Sequence, residues 1–193
     1  MTTQSAPAWN FNYTTRDVIL LAALGVVAGV INIGLNQLWN PTSAGGWPLT
    51  SAIWQGMFAW AYLLAYYLVR KPGCLLVIGV LETAVQVLLG SAQGTQTIGW
   101  GLAQGLGAEL VLALGGYRSR HLIFFLMAGA LAAQLRTVWT LYAFENNGST
   151  EAMRQYWQTV PFNLLSGAAF SGLVGYLAGL GVTRTGLIQP TTS

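Results

Sequence analysis

Residues 17–35 read DVILLAALGVVAGVINIGL, and the only charge in that run is its first residue, Asp17. A helix rises about 1.5 Å per residue, so such a run approaches the ~30 Å hydrocarbon thickness of a bilayer. Nothing soluble and small buries so long an uncharged cylinder. Six apolar segments follow this pattern, at 17–38, 51–69, 73–90, 97–115, 121–143 and 159–182. They are continuous, whereas barrel strands show about ten-residue stretches of alternating polarity. With 54% hydrophobic and 7% charged residues and a mean hydropathy of +0.53, the chain reads as an all-α integral membrane protein. The six helices predict one transmembrane domain over residues 1–193, with no length left for a soluble one.

The separators are short and carry turn residues: Pro41, Gly45, Gly46 and Pro48, then RKPG at 70–73, GSAQGTQ at 90–96, GYRSR at 116–120, and ENNGSTEAMRQY at 145–156. Pro72 cannot continue a helix interior. The first apolar segment lacks a basic n-region and a cleavage pattern, which makes it a permanent span and not a signal peptide. No inverted internal repeat is visible. Arg16, Arg70, Lys71, Arg118, Arg120 and Arg184 all fall on one side of this topology. The positive-inside rule therefore predicts a multi-pass protein of the cell membrane with both termini cytoplasmic. The net charge of +3 belongs to topology, not to nucleic-acid binding.

Several chemistries are absent from the pattern. The single cysteine, Cys74, excludes an internal disulfide and a cysteine zinc cluster, and reads as a small buried hydrophobe. His121 stands among Arg118 and Arg120 at the expected inner surface, without a second histidine or a carboxylate beside it. HExxH, GxSxG and Walker-type motifs do not occur. The expectation is a chain that is not an enzyme, hydrolyses no ATP and needs no metal or cofactor.

Ionisable side chains at bilayer depth cost several kcal/mol and mark pathways or sites. Three occur here: Glu82, Glu109 and Arg136. Counting about 1.5 Å per residue from the outer helix ends places Glu82 about 12 Å deep, Gln86 about 6 Å, Gln104 and Arg136 about 10 Å, and Asn163 about 6 Å. Four helices thus bring polar groups to one outer layer, while Glu109 lies about 18 Å in. Glu82 and Gln86 share a helix face, as do Trp100 and Gln104, whereas Glu109 points about 140° away from Gln104. Glu82, Gln86, Gln104 and Asn163 are the candidate polar ligands. Arg136 is expected to ion-pair with a glutamate, and Glu109 to face a neighbouring helix or the cytoplasmic end. Mutual helix bonding is the competing reading of the same set.

Trp39, Trp47, Trp54, Trp100, Trp139 and Trp157 all fall in outer loops or outer helix ends. An aromatic belt populates both faces, so this asymmetry suggests rings around an outward pocket, with Trp47, Trp54 and Trp139 the expected walls. Rings plus a carboxylate suit a flat heteroaromatic ligand that can carry positive charge. The uncharged stretches 39–50 and 90–96 have the composition of lids or of plain connectors. Small residues form rows at Gly167, Ser171, Gly175 and Gly179 and at Ala22, Gly25 and Gly29. The first row predicts internal packing; the second predicts packing or a partner-docking face.

The stretch RKPG, a helix ending VLLGSAQG, and AQGLGAEL one helix later resemble the YkoE-type substrate-binding (S) component of energy-coupling-factor vitamin importers. The resemblance is specific over residues 70–110 and agrees with helix count and topology elsewhere. Gln104 and Glu109 match motif positions; the third helix departs, carrying Gly79 and Gln86 where the family has acidic residues and Glu82 where it has a small one. The resemblance implies an ABC-type importer subunit that takes thiamin or its hydroxymethylpyrimidine precursor from outside. It also implies docking on a transmembrane coupling protein driven by two cytoplasmic ATPases. The alternative from the residues alone is a small secondary transporter or channel with Glu82 and Glu109 as a proton or cation relay.

Overall fold

The computed structural model describes residues 11–43, 48–117, 119–144 and 150–186. Among these every regular element is helical, and five helical stretches are long and apolar enough to cross a membrane. In chain order the elements are α1 (Thr15–Ser43), α2 (Pro48–Gln55), α3 (Trp60–Val69), α4 (Cys74–Leu88), α5 (Thr97–Leu114), α6 (Leu122–Phe144), α7 (Thr150–Ser166) and α8 (Val174–Arg184). A 3-10 turn at Gly94–Gln96 leads into α5, and a π-helical stretch at Gly167–Leu173 joins α7 to α8. α4 is apolar but only 15 residues long.

The start of α1 is a reciprocal cap: Asp17 Oδ2 accepts from the Thr14 N–H at 2.9 Å, and Thr14 Oγ1 accepts from the Asp17 N–H at 3.3 Å. Asp17 is fully buried and pairs with Lys71 Nζ at 2.6 Å. Lys71 also donates to the Asn12 carbonyl, and Tyr13 donates to the Pro72 carbonyl at 2.7 Å. The RKPG turn is therefore pinned to the chain before α1. Arg70 adopts φ 51°, ending α3 in a left-handed cap, and Gly73 adopts φ 86° before α4.

Small residues decide which helices meet. A Cβ on Gly79 would lie 2.5 Å from the Gly101 carbonyl oxygen, so α4 and α5 touch backbone to backbone. Gly129 and Gly167 make a like approach between α6 and the π-helical stretch. Gly175 packs on α3 at Leu63, and Gly179 on Tyr67, so the expected row in the last segment does face inward. For the first helix, read as packing or partner docking, two positions take the packing side. Gly25 and Gly29 are closed against α4, where added Cβ atoms would lie 2.8 Å from Leu81 Cβ and 2.7 Å from the Glu82 carbonyl oxygen. Ala22 alone of that trio lies on the exposed side.

Two expected boundaries differ. The helix anticipated from residue 159 begins at Thr150, because TEAMRQYW contains good helix formers and no Gly or Pro. Pro161 lies inside α7, where it removes one backbone donor. The segment 51–69 is not one helix: it breaks between Gln55 and Trp60. In hydrocarbon a break frees backbone groups that water cannot satisfy, and the neighbouring helices supply the partners. Ser171 Oγ donates to the Gly56 carbonyl at 2.5 Å and accepts from the Ala59 N–H at 3.2 Å. Ser166 donates to the Ile53 carbonyl, and Asn32 Nδ2 donates to the Phe58 carbonyl at 2.9 Å. Ser171→Ala leaves a buried carbonyl and a buried N–H without partners. It should lower stability by about 1–3 kcal/mol, read as an earlier thermal unfolding transition in detergent, whereas Ser171→Thr, which keeps the hydroxyl, should lose less.

Candidate functional site

The polar residues of α1 and α4 form one buried chain. Asn32 Nδ2 donates to Glu82 Oε1 at 2.6 Å, Gln86 Nε2 donates to the same oxygen at 2.7 Å, and Asn36 Nδ2 donates to Gln86 Oε1 at 3.0 Å. The spacing 32/36 on α1 meets the spacing 82/86 on α4, so a four-residue repeat on each helix builds the ladder. Glu82 is 1% exposed; its second oxygen has no hydrogen-bond partner, and the Tyr62 hydroxyl faces it from α3.

At the upper end of this ladder lies a cavity of about 220 Å³. Asn36, Gln55, Gln93 and Thr140 give it polar walls, and Phe58 and Trp100 give it flat ones. Gln55 is the last residue of α2, and Phe58 lies three residues on, within the break. Trp100 Nε1 donates to Thr140 Oγ1 at 2.9 Å, fixing the indole plane. Arg136 completes the lining. Its guanidinium carbon lies 4.1 Å from the Phe58 ring centroid and 4.7 Å from that of Trp100. Cation–π attraction in a water-poor site holds it there.

The structure brings some expected residues together and separates others. Glu82 and Gln86 form the base of the cavity region through Asn36. Gln104, one turn beyond Trp100 on the same face of α5, is fully buried with both amide atoms unpartnered. Asn163 is fully buried, donates to Thr159 Oγ1 at 3.5 Å, and keeps an unpartnered oxygen, but it does not line the cavity. Arg136 forms no ion pair with a carboxylate among the described residues, which corrects the expected Arg–Glu pair; the two aromatic faces take its place. Trp139 does not wall the cavity either. Arg136 and Thr140 share the inward face of α6, and Trp139 lies about 100° away, 37% exposed and laid over Gly99. Trp54 is half-buried and also outside the lining. Trp47 lies outside the described residues.

Asn32, Asn36, Gln55, Phe58, Gln93 and Thr140 were not among the expected ligands. Asn32 and Asn36 carried a usable signal, being amides four residues apart in an otherwise apolar helix. Phe58 and Gln55 stand three residues apart, a spacing that shares a helix face but does not by itself mark a pocket wall.

Glu109 belongs to a different centre. It accepts from the Gly73 N–H at 2.5 Å, the Leu75 N–H at 3.3 Å and the Tyr117 hydroxyl at 2.5 Å. The carboxylate thus caps the free N–H groups at the start of α4 from a neighbouring helix. Burial, and next the Glu109 carboxylate, hold the Tyr117 hydroxyl well above the ordinary phenol range, so it remains a donor.

Three comparisons bear on this geometry. Residues 16–135 match the family described as ABC-type cobalt transport system, permease component. The putative HMP/thiamine permease protein YkoE of Bacillus subtilis (strain 168) is 24% identical over 182 residues, which cover 92% of this chain and 88% of that protein. A solved structure described as the crystal structure of an S-component of ECF transporter superposes with a TM-score of 0.84 at 23% identity. It covers 91% of this chain and 88% of its own, and the likeness establishes the fold.

Removing the Glu109 carboxylate should loosen the start of α4 and the α3–α4 turn. Glu109→Ala is expected to cost about 1–3 kcal/mol and Tyr117→Phe less, measured as thermal unfolding of the purified protein in detergent.

Proposed function

Because the chain belongs to the family of ABC-type cobalt transport system permease components, we propose that it is the substrate-binding subunit of an energy-coupling-factor importer for thiamin or a related pyrimidine. In this reading the chain is a single membrane domain that crosses six times, with both termini in the cytoplasm. The second crossing is the broken pair α2–α3, the third is the short α4, and the sixth runs from α7 through the π-helical stretch into α8. The basic residues Arg16, Arg70, Lys71, Arg120 and Arg184 then mark the inner side, and the cavity faces outward. The subunit delivers its ligand through a transmembrane coupling protein and cytoplasmic ATPases, in keeping with the absence of a nucleotide-binding motif of its own. The exposed side of α1, including Ala22, is the docking face we assign to the coupling protein.

The observation that carries the reading is the cavity itself: two fixed aromatic faces and three amide side chains above a buried carboxylate, in a bundle with the S-component fold. A planar heteroaromatic ring stacks on Trp100 and Phe58 while its nitrogen-bearing edge is read by amides. Glu82, Gln86 and Gln104 supply the polar surroundings beneath, and Asn163 the second layer. A relay between Glu82 and Glu109 gains nothing from the geometry. The bonds of Glu109 run to the turn before α4, and those of Glu82 run to α1 and along α4.

Intrinsic tryptophan fluorescence of the detergent-purified chain, titrated with thiamin and with 4-amino-5-hydroxymethyl-2-methylpyrimidine, tests this directly. Saturable 1:1 binding of at least one of them without ATP is expected. Trp100→Ala should weaken it about tenfold or more, the scale of one lost stacking contact of ~1–3 kcal/mol. Failure of both compounds to bind refutes the proposal.

A further inference from the structure

We propose that Arg136 is a charge filter, making the cavity a site for a neutral, single-ring aminopyrimidine and disfavouring a ligand with a permanent cationic ring such as the thiazolium of thiamin. The inference rests on the vitamin-binding reading above and narrows its substrate class.

The cation–π capacity of the cavity is already occupied. Phe58 and Trp100 are its two aromatic walls, and the Arg136 guanidinium sits over both, at 4.1 and 4.7 Å from their centroids. A guanidinium does not lose its proton in a protein, so this charge is permanent. It is 7% exposed and weakly screened. A second permanent cation brought onto the same rings would meet it at contact distance in a medium of low dielectric. A neutral ring can share the stack, because a guanidinium plane and a heteroaromatic ring are both flat and polarisable.

The compensating negative charge is out of reach. Among the described residues no carboxylate lines the cavity. Glu82 feels Arg136 electrostatically but lies beyond ion-pairing distance, and one of its oxygens already holds both Asn32 and Gln86. Glu82 therefore offers a cationic ligand no direct contact in the cavity, whereas a neutral ligand needs none.

The polar walls fit the neutral candidate. An amide side chain pairs with an N=C–NH2 edge in the same two-bond manner that Asn and Gln use on adenine. Gln55 Oε1 at the cavity wall is a buried acceptor with no partner among the described residues, available to an exocyclic amine. A volume of about 220 Å³ lies below the ~300–1,000 Å³ of drug-sized sites and suits one substituted ring.

The test compares 4-amino-5-hydroxymethyl-2-methylpyrimidine with thiamin on the full-length protein by isothermal titration. The expected result is that the wild type binds the pyrimidine at least about tenfold more tightly than thiamin, a gap of ~1.4 kcal/mol. Arg136→Gln should shrink that ratio about tenfold or reverse it, and Arg136→Lys should preserve it. The double variant Arg136→Gln/Glu82→Gln removes both charges together and serves where the single variant fails to fold; its ratio should also shrink. Equal or tighter binding of thiamin by the wild type overturns the filter, as does an unchanged ratio in the Gln variants. Both of those outcomes leave the vitamin-binding reading standing. Binding of neither compound overturns both.

Discussion

Within hydrocarbon, a helix that stops must have its freed backbone groups met by side chains, and the break between Gln55 and Trp60 is where this protein meets that demand. Ser171 serves both a carbonyl and an N–H across the break, Ser166 holds the last turn of α2, and Asn32 holds the Phe58 carbonyl. Each serine lies next to or within the π-helical stretch, whose wider turn lets a neighbouring backbone come close. One irregularity is thus supported by another. The arrangement matters for the site because Gln55 ends α2 and Phe58 lies within the interruption, so the bonds that hold the break also hold two residues that line the cavity.

Asn32 links this backbone accounting to the buried charge. The same amide nitrogen donates to the Phe58 carbonyl and to Glu82 Oε1. The residue whose ring carries Arg136 and the Glu82 carboxyl are therefore held by one side chain. A change at Asn32 reaches both the aromatic wall and the polar ladder, although Asn32 itself does not line the cavity.

Much of the helical layout was legible before any coordinates, because continuous apolar runs and the RKPG turn are strong local signals. Glu82 and Gln86 on one face, and Glu109 in a separate role, followed from helical periodicity alone. What was not legible depends on tertiary partners. The break near Gly56 has a weak local signature, since a single glycine is common in membrane helices, and the serines that stabilise it lie more than a hundred residues on. Arg136 was expected to find a carboxylate, but sequence spacing cannot show that two rings come closer. Trp139 was an expected wall but spends its indole on the outer surface over Gly99, while Trp100, not among the expected walls, lines the cavity. The amides of α1 matter through their partners on α4, which spacing within α1 does not reveal.

α4 spans about 22 Å at 1.5 Å per residue, well short of a bilayer's ~30 Å apolar thickness. It is not wholly sheltered, since Val77, Val80 and Leu88 are exposed along it. As the third crossing of the proposed topology it would set up a hydrophobic mismatch on one flank of the bundle, which lipid meets by drawing inward. In that topology the thinning would lie next to the hollow lined by Asn36, Gly90 and Gln93, just past the Leu88 end of α4, and would bring water closer to it. Bilayer thickness would then be a physical variable acting on the mouth of the cavity.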